Sequence, residues 1–136
     1  MNERISDKIK EIEDYLEELL NIAPDNFTEY KTNLEKKAAC ERYFEKVIEA
    51  VVDLAFLVIK EKELKIPEGD KEAFDILVRN NIIPKILATK LKEAKGMRNV
   101  LAHEYGKVDD KLVFDSIKEE LENDVMDIIK VIRGLK

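Results

Sequence analysis

From Asn26 to Leu64 the chain runs without a proline or a glycine, and its second half, VIEAVVDLAFLVI (Val47 to Ile59), is apolar on nearly every face of a helix. Nothing in that stretch stops an α-helix once it has started. Asn26, with Glu29 three residues on, has the spacing of a capping box. Taken as one helix the stretch spans on the order of 55–60 Å at about 1.5 Å per residue. That is too long for a small bundle unless it kinks or pairs. A helix apolar all round also needs cover on every side. A chain of 136 residues can bury a single real core, so a second copy is the readier source of that cover. The expectation is an all-α protein that works as a homodimer.

The remaining punctuation divides the chain consistently. Pro24, Pro67 and Pro84, with Gly69, Gly106 and Gly134, fall where helical periodicity breaks, and Gly96 alone lies inside a helical pattern. The predicted architecture is an up-down helical bundle of about five helices forming one domain over residues 1–136. The first helix, about Asn2 to Asn21, carries the stripe Ile5, Ile9, Ile12, Leu16 and Leu19. Asp70 is the expected cap of a short third helix, which breaks at Asn80-Asn81. Pro84 suits the first turn of a fourth helix that runs to His103. Asp109 or Asp110 caps the fifth, with Val113, Phe114, Ile117, Leu121, Val125, Ile128 and Ile132 as its stripe and Gly134 at its end.

Charged residues at 40% and hydrophobic ones at 45% fit amphipathic helices and exclude disorder. The net charge of −6 disfavours diffuse attraction to nucleic acid or to an anionic membrane, so any binding of nucleic acid must be local. A lone Cys40 makes no internal disulfide and points to a reducing compartment. The opening MNERISDKIKEIEDY lacks the apolar core of a signal peptide. Val47 to Ile59, interrupted by Glu49 and Asp53, is too short to span a bilayer. A cytoplasmic protein without a membrane partner is expected.

One local asymmetry stands out. Between Pro84 and His103, Lys85, Lys90, Lys92, Lys95 and Arg98 face only Glu93, and this basic run leads to the sole histidine. A basic helix face can be fortuitous, but here it reads better as an approach for phosphate, with Lys92 and Lys95 as RNA-binding candidates. The imidazole of His103 could take a proton from an RNA 2′-hydroxyl or give one to a leaving 5′-oxygen. Arg98 could clamp the phosphate with its bidentate fork. Tyr105 could hydrogen-bond the phosphate or stack on a base. On an ideal helix Arg98 and His103 stand roughly 140° apart, so convergence requires the helix to end near His103 or a second copy to contribute. Gly106 is placed to end it. A histidine at a helix end is also an ordinary cap, and Tyr105 an ordinary packing residue. A lone histidine without companion ligands makes a poor metal site, so none is expected. Asp53 has two readings. It is a rim carboxylate or an acid paired with a structural cation, or it faces the Arg98/His103 cluster and orients it.

At these residues the chain resembles a known family. The segment GMRNVLAHEYG, with Arg98, His103 and Tyr105 spaced arginine–four–histidine–one–tyrosine, is similar to the signature of HepT-like proteins of the HEPN superfamily. ERYFEKVIEAVVDLAFLVI, AFDILVRNNIIP and VDDKLVFDSIKEELEND resemble the family's successive elements, so the likeness covers nearly the whole chain. Met97 stands where the family commonly has an aromatic residue. The resemblance implies a toxin of a prokaryotic type VII toxin–antitoxin pair, a metal-independent endoribonuclease with no cofactor, active as a homodimer whose motif helices share a cleft. Arg98 and His103 would be catalytic and Asn99 a polar support. A minimal nucleotidyltransferase antitoxin would silence the protein by adding AMP to Tyr105. The competing expectation is a non-catalytic helical partner, or a nucleotide-binding module, of a nucleotidyltransferase.

Overall fold

A computed structural model describes residues 2–103 and 108–135, and all the regular structure among them is helical. Helix α1 (Glu3–Ile22) is capped by Asn2, whose side chain accepts from the Ile5 N–H. It buries Ile5, Ile9, Ile12, Leu16 and Leu19, the stripe its periodicity predicts. This face packs along α3 (Leu34–Glu61). The two run antiparallel. Asn2 Nδ2 donates to Glu61 at 2.7 Å at one end, and Tyr15 meets Tyr43 edge-on at 6.4 Å further along.

The long glycine-free stretch is two helices. Short α2 (Phe27–Thr32) ends at Asn33, an extended residue whose side chain accepts from the Lys36 N–H and so starts α3. The 28 residues of α3 make about 42 Å, a length the bundle accommodates. Within it Val47, Ile48, Ala50, Val51, Val52, Leu54, Ala55, Val58 and Ile59 are all buried. One chain therefore covers most of the apolar helix. Phe56 and Leu57 stay half-exposed.

α4 (Asp70–Arg79) and α5 (Lys85–His103) pack on α3 and on each other. Gly69, not Asp70, is the cap residue of α4 and offers no side chain to it; Asp70 is the first helical residue, and its carboxylate goes to Lys95 instead. Asn81 takes a left-handed conformation (φ 58°) that ends α4, a place asparagine tolerates. Pro84 stands just before α5, and its carbonyl accepts from the Ala88 N–H.

The last segment is also interrupted. α6 (Asp110–Asp115), capped by Asp109, passes through a π-helical turn (Ser116–Glu120) into α7 (Leu121–Arg133), which ends at Gly134. The turn is visible in the Leu121 N–H, which donates five residues back to the Ser116 carbonyl. α6 packs on α2, where Phe27, Tyr30 and Phe114 form an aromatic cluster, and α7 closes the bundle against α5. No described helix is long and apolar enough to cross a membrane.

Candidate active site

Arg98 lies on α5 one helical turn beyond Lys95, and its side chain is 17% exposed. Its Nη2 donates to the Glu49 carboxylate on α3, and Nη1 makes a long 3.4 Å contact with Asn99 Oδ1. Its Nε is buried with no hydrogen-bond partner among the described residues. The guanidinium is thus fixed along one edge and keeps donor capacity in hand. Nε is closed to solvent, so the remaining N–H groups of Nη1 and Nη2 are the donors left for an incoming acceptor.

Arg98 borders two hollows. The first, about 660 Å³, is lined by Glu68 to Glu72 at the start of α4 and by Lys95, Arg98, Asn99 and His103 from α5. His103 is the last described residue of α5 and is exposed. A single chain therefore brings Arg98, Asn99 and His103 to one hollow. The residues that would show whether α5 ends at His103 lie outside the described ones. The second hollow, about 380 Å³, is lined by Glu49, Val52, Asp53, Phe56, Asp70, Lys95 and Arg98.

Asp53 reaches the second hollow only as a rim residue. Its side chain is 61% exposed, and its carboxylate lies 3.6 Å from Lys8 of α1. The acid that meets Arg98 is Glu49, one turn earlier. Sequence reasoning passed over Glu49 although the two acids share a helix face; only the packing of α3 on α5 selects between them.

The basic run on α5 is opposed by acids that its own segment does not contain. Lys90 faces Asp124 at 3.8 Å, Lys92 binds Asp75 at 2.8 Å and Lys95 binds Asp70 at 3.0 Å. Local positive charge along the chain is in this way largely matched in space. Lys95 lines both hollows, whereas Lys92 is not among the residues that line either. Tyr105, the modification candidate, and Gly106 lie outside the described residues.

An all-helical protein that turns an arginine, an amide and a histidine toward one open hollow holds the groups needed to grip a phosphodiester and move a proton beside it. A family model described as ribonuclease HepT-like matches residues 5–132, and the chain belongs to this family of RNA-cleaving enzymes. Among curated relatives, the mRNA nuclease HepT of Shewanella oneidensis is 26% identical over 96% of this chain and 98% of its own length. The tRNA nuclease HepT of Aphanizomenon flos-aquae is 28% identical over 80% of this chain and 72% of its own. Among solved structures, a tri-AMPylated Shewanella oneidensis HEPN toxin in complex with MNT antitoxin superposes with a TM-score of 0.93 at 26% identity. That match covers 99% of this chain and all of the other.

Proposed function

We propose that this chain is the toxin of a toxin–antitoxin pair, a cytoplasmic, single-domain, homodimeric endoribonuclease silenced by AMP transfer to Tyr105. The observation that carries the reading is the meeting of Arg98, Asn99 and His103 on one hollow in a chain that matches the ribonuclease family almost end to end. The same family membership favours a nuclease over a non-catalytic partner. The relatives' printed names, mRNA and tRNA nucleases and a toxin held by its antitoxin, supply the substrate class and the partner.

The chemistry follows from the side chains. The imidazole of His103 accepts the proton of a ribose 2′-hydroxyl, and the freed oxygen attacks the adjacent phosphorus. The P–O5′ bond breaks as the new P–O2′ bond forms, leaving a 2′,3′-cyclic phosphate, and the departing 5′-oxygen takes up a proton. Arg98 neutralises the charge that builds on the non-bridging oxygens, using donors that Glu49 leaves unoccupied. A homodimer supplies two imidazoles, one for each proton transfer. Asn99 steadies the guanidinium, Asp53 sits at the rim, and Lys95 meets a flanking phosphate, while Lys92, paired with Asp75, stands away from both hollows. AMP on Tyr105, two residues past His103 in the chain, would add a bulky anion that repels RNA.

The test is cleavage by pure Arg98→Ala and His103→Ala proteins. Both are expected to keep the helical circular-dichroism spectrum while losing roughly a hundredfold or more in rate, and both should relieve growth inhibition. Wild-type cleavage by both variants would reject the reading. Expression beside a cognate nucleotidyltransferase should add roughly 329 Da per AMP, lost in Tyr105→Phe.

A further inference from the structure

Lys95 is one of the few buried charged residues, with a side chain 8% exposed, and its ammonium is held by Asp70 Oδ2 at 3.0 Å. A buried ammonium needs an anion beside it, and the first turn of a helix favours a carboxylate. Those two facts explain an ion pair but not its position. Asp70, Lys95 and Arg98 are the residues common to both hollows, so the pair stands in the wall between them where the guanidinium emerges. Lys95 and Arg98, three apart on α5, share a face at about 5–6 Å between Cβ atoms. The partners differ in freedom. The Asp70 side chain is 46% exposed and can swing to solvent, whereas Lys95 is enclosed. A third cation is at hand: Lys71 lines the His103 hollow, with its Nζ 3.5 Å from where a Cβ on Gly96 would sit.

We propose that Asp70 is a resident stand-in for a substrate phosphate: it neutralises Lys95 in the free protein, and the RNA phosphate neighbouring the scissile one displaces it. The proposal rests on the nuclease reading above and adds to it an anion that competes with substrate. A phosphate in that place meets Lys95 together with Lys71, beside Arg98. A weakly bound single anion gains too little to evict the carboxylate. A strand anchored at Arg98 presents its next phosphate at high effective concentration and can. The pair thereby sets a threshold that favours polyanions over simple salts.

The experiment measures binding and cleavage separately. Binding is read by anisotropy of a fluorescein-labelled single-stranded RNA carrying 2′-O-methyl groups throughout, which removes the nucleophile, over a series of salt concentrations. Cleavage is read on the unmodified strand. Asp70→Asn should bind roughly fivefold tighter at low salt, with a log–log salt slope somewhat steeper than wild type, because the carboxylate that RNA sets free in the wild type takes up a cation and offsets part of the counterion release. KM should fall by a similar factor, and Asp70→Asn with Lys95→Met should lose the gain. Asp70→Ser repeats the test should the amide variant fold poorly. Unchanged or weaker binding with an unchanged slope, alongside normal cleavage, would overturn the stand-in role and leave the nuclease standing. Tighter, steeper binding by a protein that cuts nothing would overturn the nuclease reading and leave the phosphate subsite standing.

Discussion

Tyr30 is fully buried against Phe114, with ring centroids 5.2 Å apart, yet its hydroxyl has no hydrogen-bond partner among the described residues. Burial, followed by the negative charge of Glu41, pushes its ionisation far above the ordinary phenol range. A buried hydroxyl that has lost water and gained nothing carries an uncompensated desolvation cost. Tyr30→Phe keeps the ring contacts and removes that cost, so it should stabilise the fold by about 1 kcal/mol, seen as a melting temperature raised by several degrees. A fall in stability would mean that the hydroxyl is bonded after all. The same scale shows what residue chemistry makes legible. A single histidine five residues after an arginine draws attention by rarity, and the fold places both on one hollow. Glu49 and Asp53 are chemically alike and four residues apart, so sequence offers no ground for preferring one. Their different partners, Arg98 and Lys8, come from helices remote in the chain.

At the level of elements, stripes and two of the three expected caps read well because they are local, whereas Asp70 leaves the capping place to Gly69. Asn2, Asn26 and Asp109 each accept from a backbone N–H two or three residues on, as their side-chain chemistry directs. The breaks without proline or glycine were harder to see. Asn33 ends α2 and starts α3 at once, and its signature, one asparagine in a helix-compatible run, is weak. The π turn left a trace in hindsight. Val113, Ile117, Leu121 and Val125 advance by four residues each time, which overruns a regular helix by about 40° per step, and a widened turn absorbs the drift. Asn33→Ala tests how much the α2–α3 break depends on its cap. Loss of the bond to the Lys36 N–H at 3.1 Å should cost about 1 kcal/mol in urea unfolding. Alanine also lets α2 continue straight into α3 and pull Phe27 from Phe114, so a loss well above that figure would show that the cap guards the aromatic cluster too. No loss would mean that packing alone sets the break.

For the whole molecule, the question is what completes the surface of α3. One chain buries most of the apolar run, although a second copy had looked the readier source of cover, and a remnant persists at the C-terminal end. Phe56, Leu57, Leu64, Ile66 and Pro67 line an open hollow of about 750 Å³, with Ile66 82% exposed. Asp53 and Phe56 belong both to this hollow and to the one bordered by Arg98, so the apolar remnant runs up to the candidate site. Arg4, Lys8 and Lys60 face Asp53 and Glu63 around it, a rim of both signs that a twofold-related copy could match with its own. A partner seated there would lie beside the hollow that Arg98 borders. Ile66→Glu isolates this contact, because so exposed a side chain contributes little to the folding of one chain. Wild-type protein is expected to sediment as a dimer at micromolar concentration. The variant should shift toward monomer with an unchanged helical spectrum, and cleavage per chain should fall with it and recover as concentration rises. A wild-type monomer whose rate per chain is independent of concentration would show that one hollow, with one imidazole, performs both transfers alone.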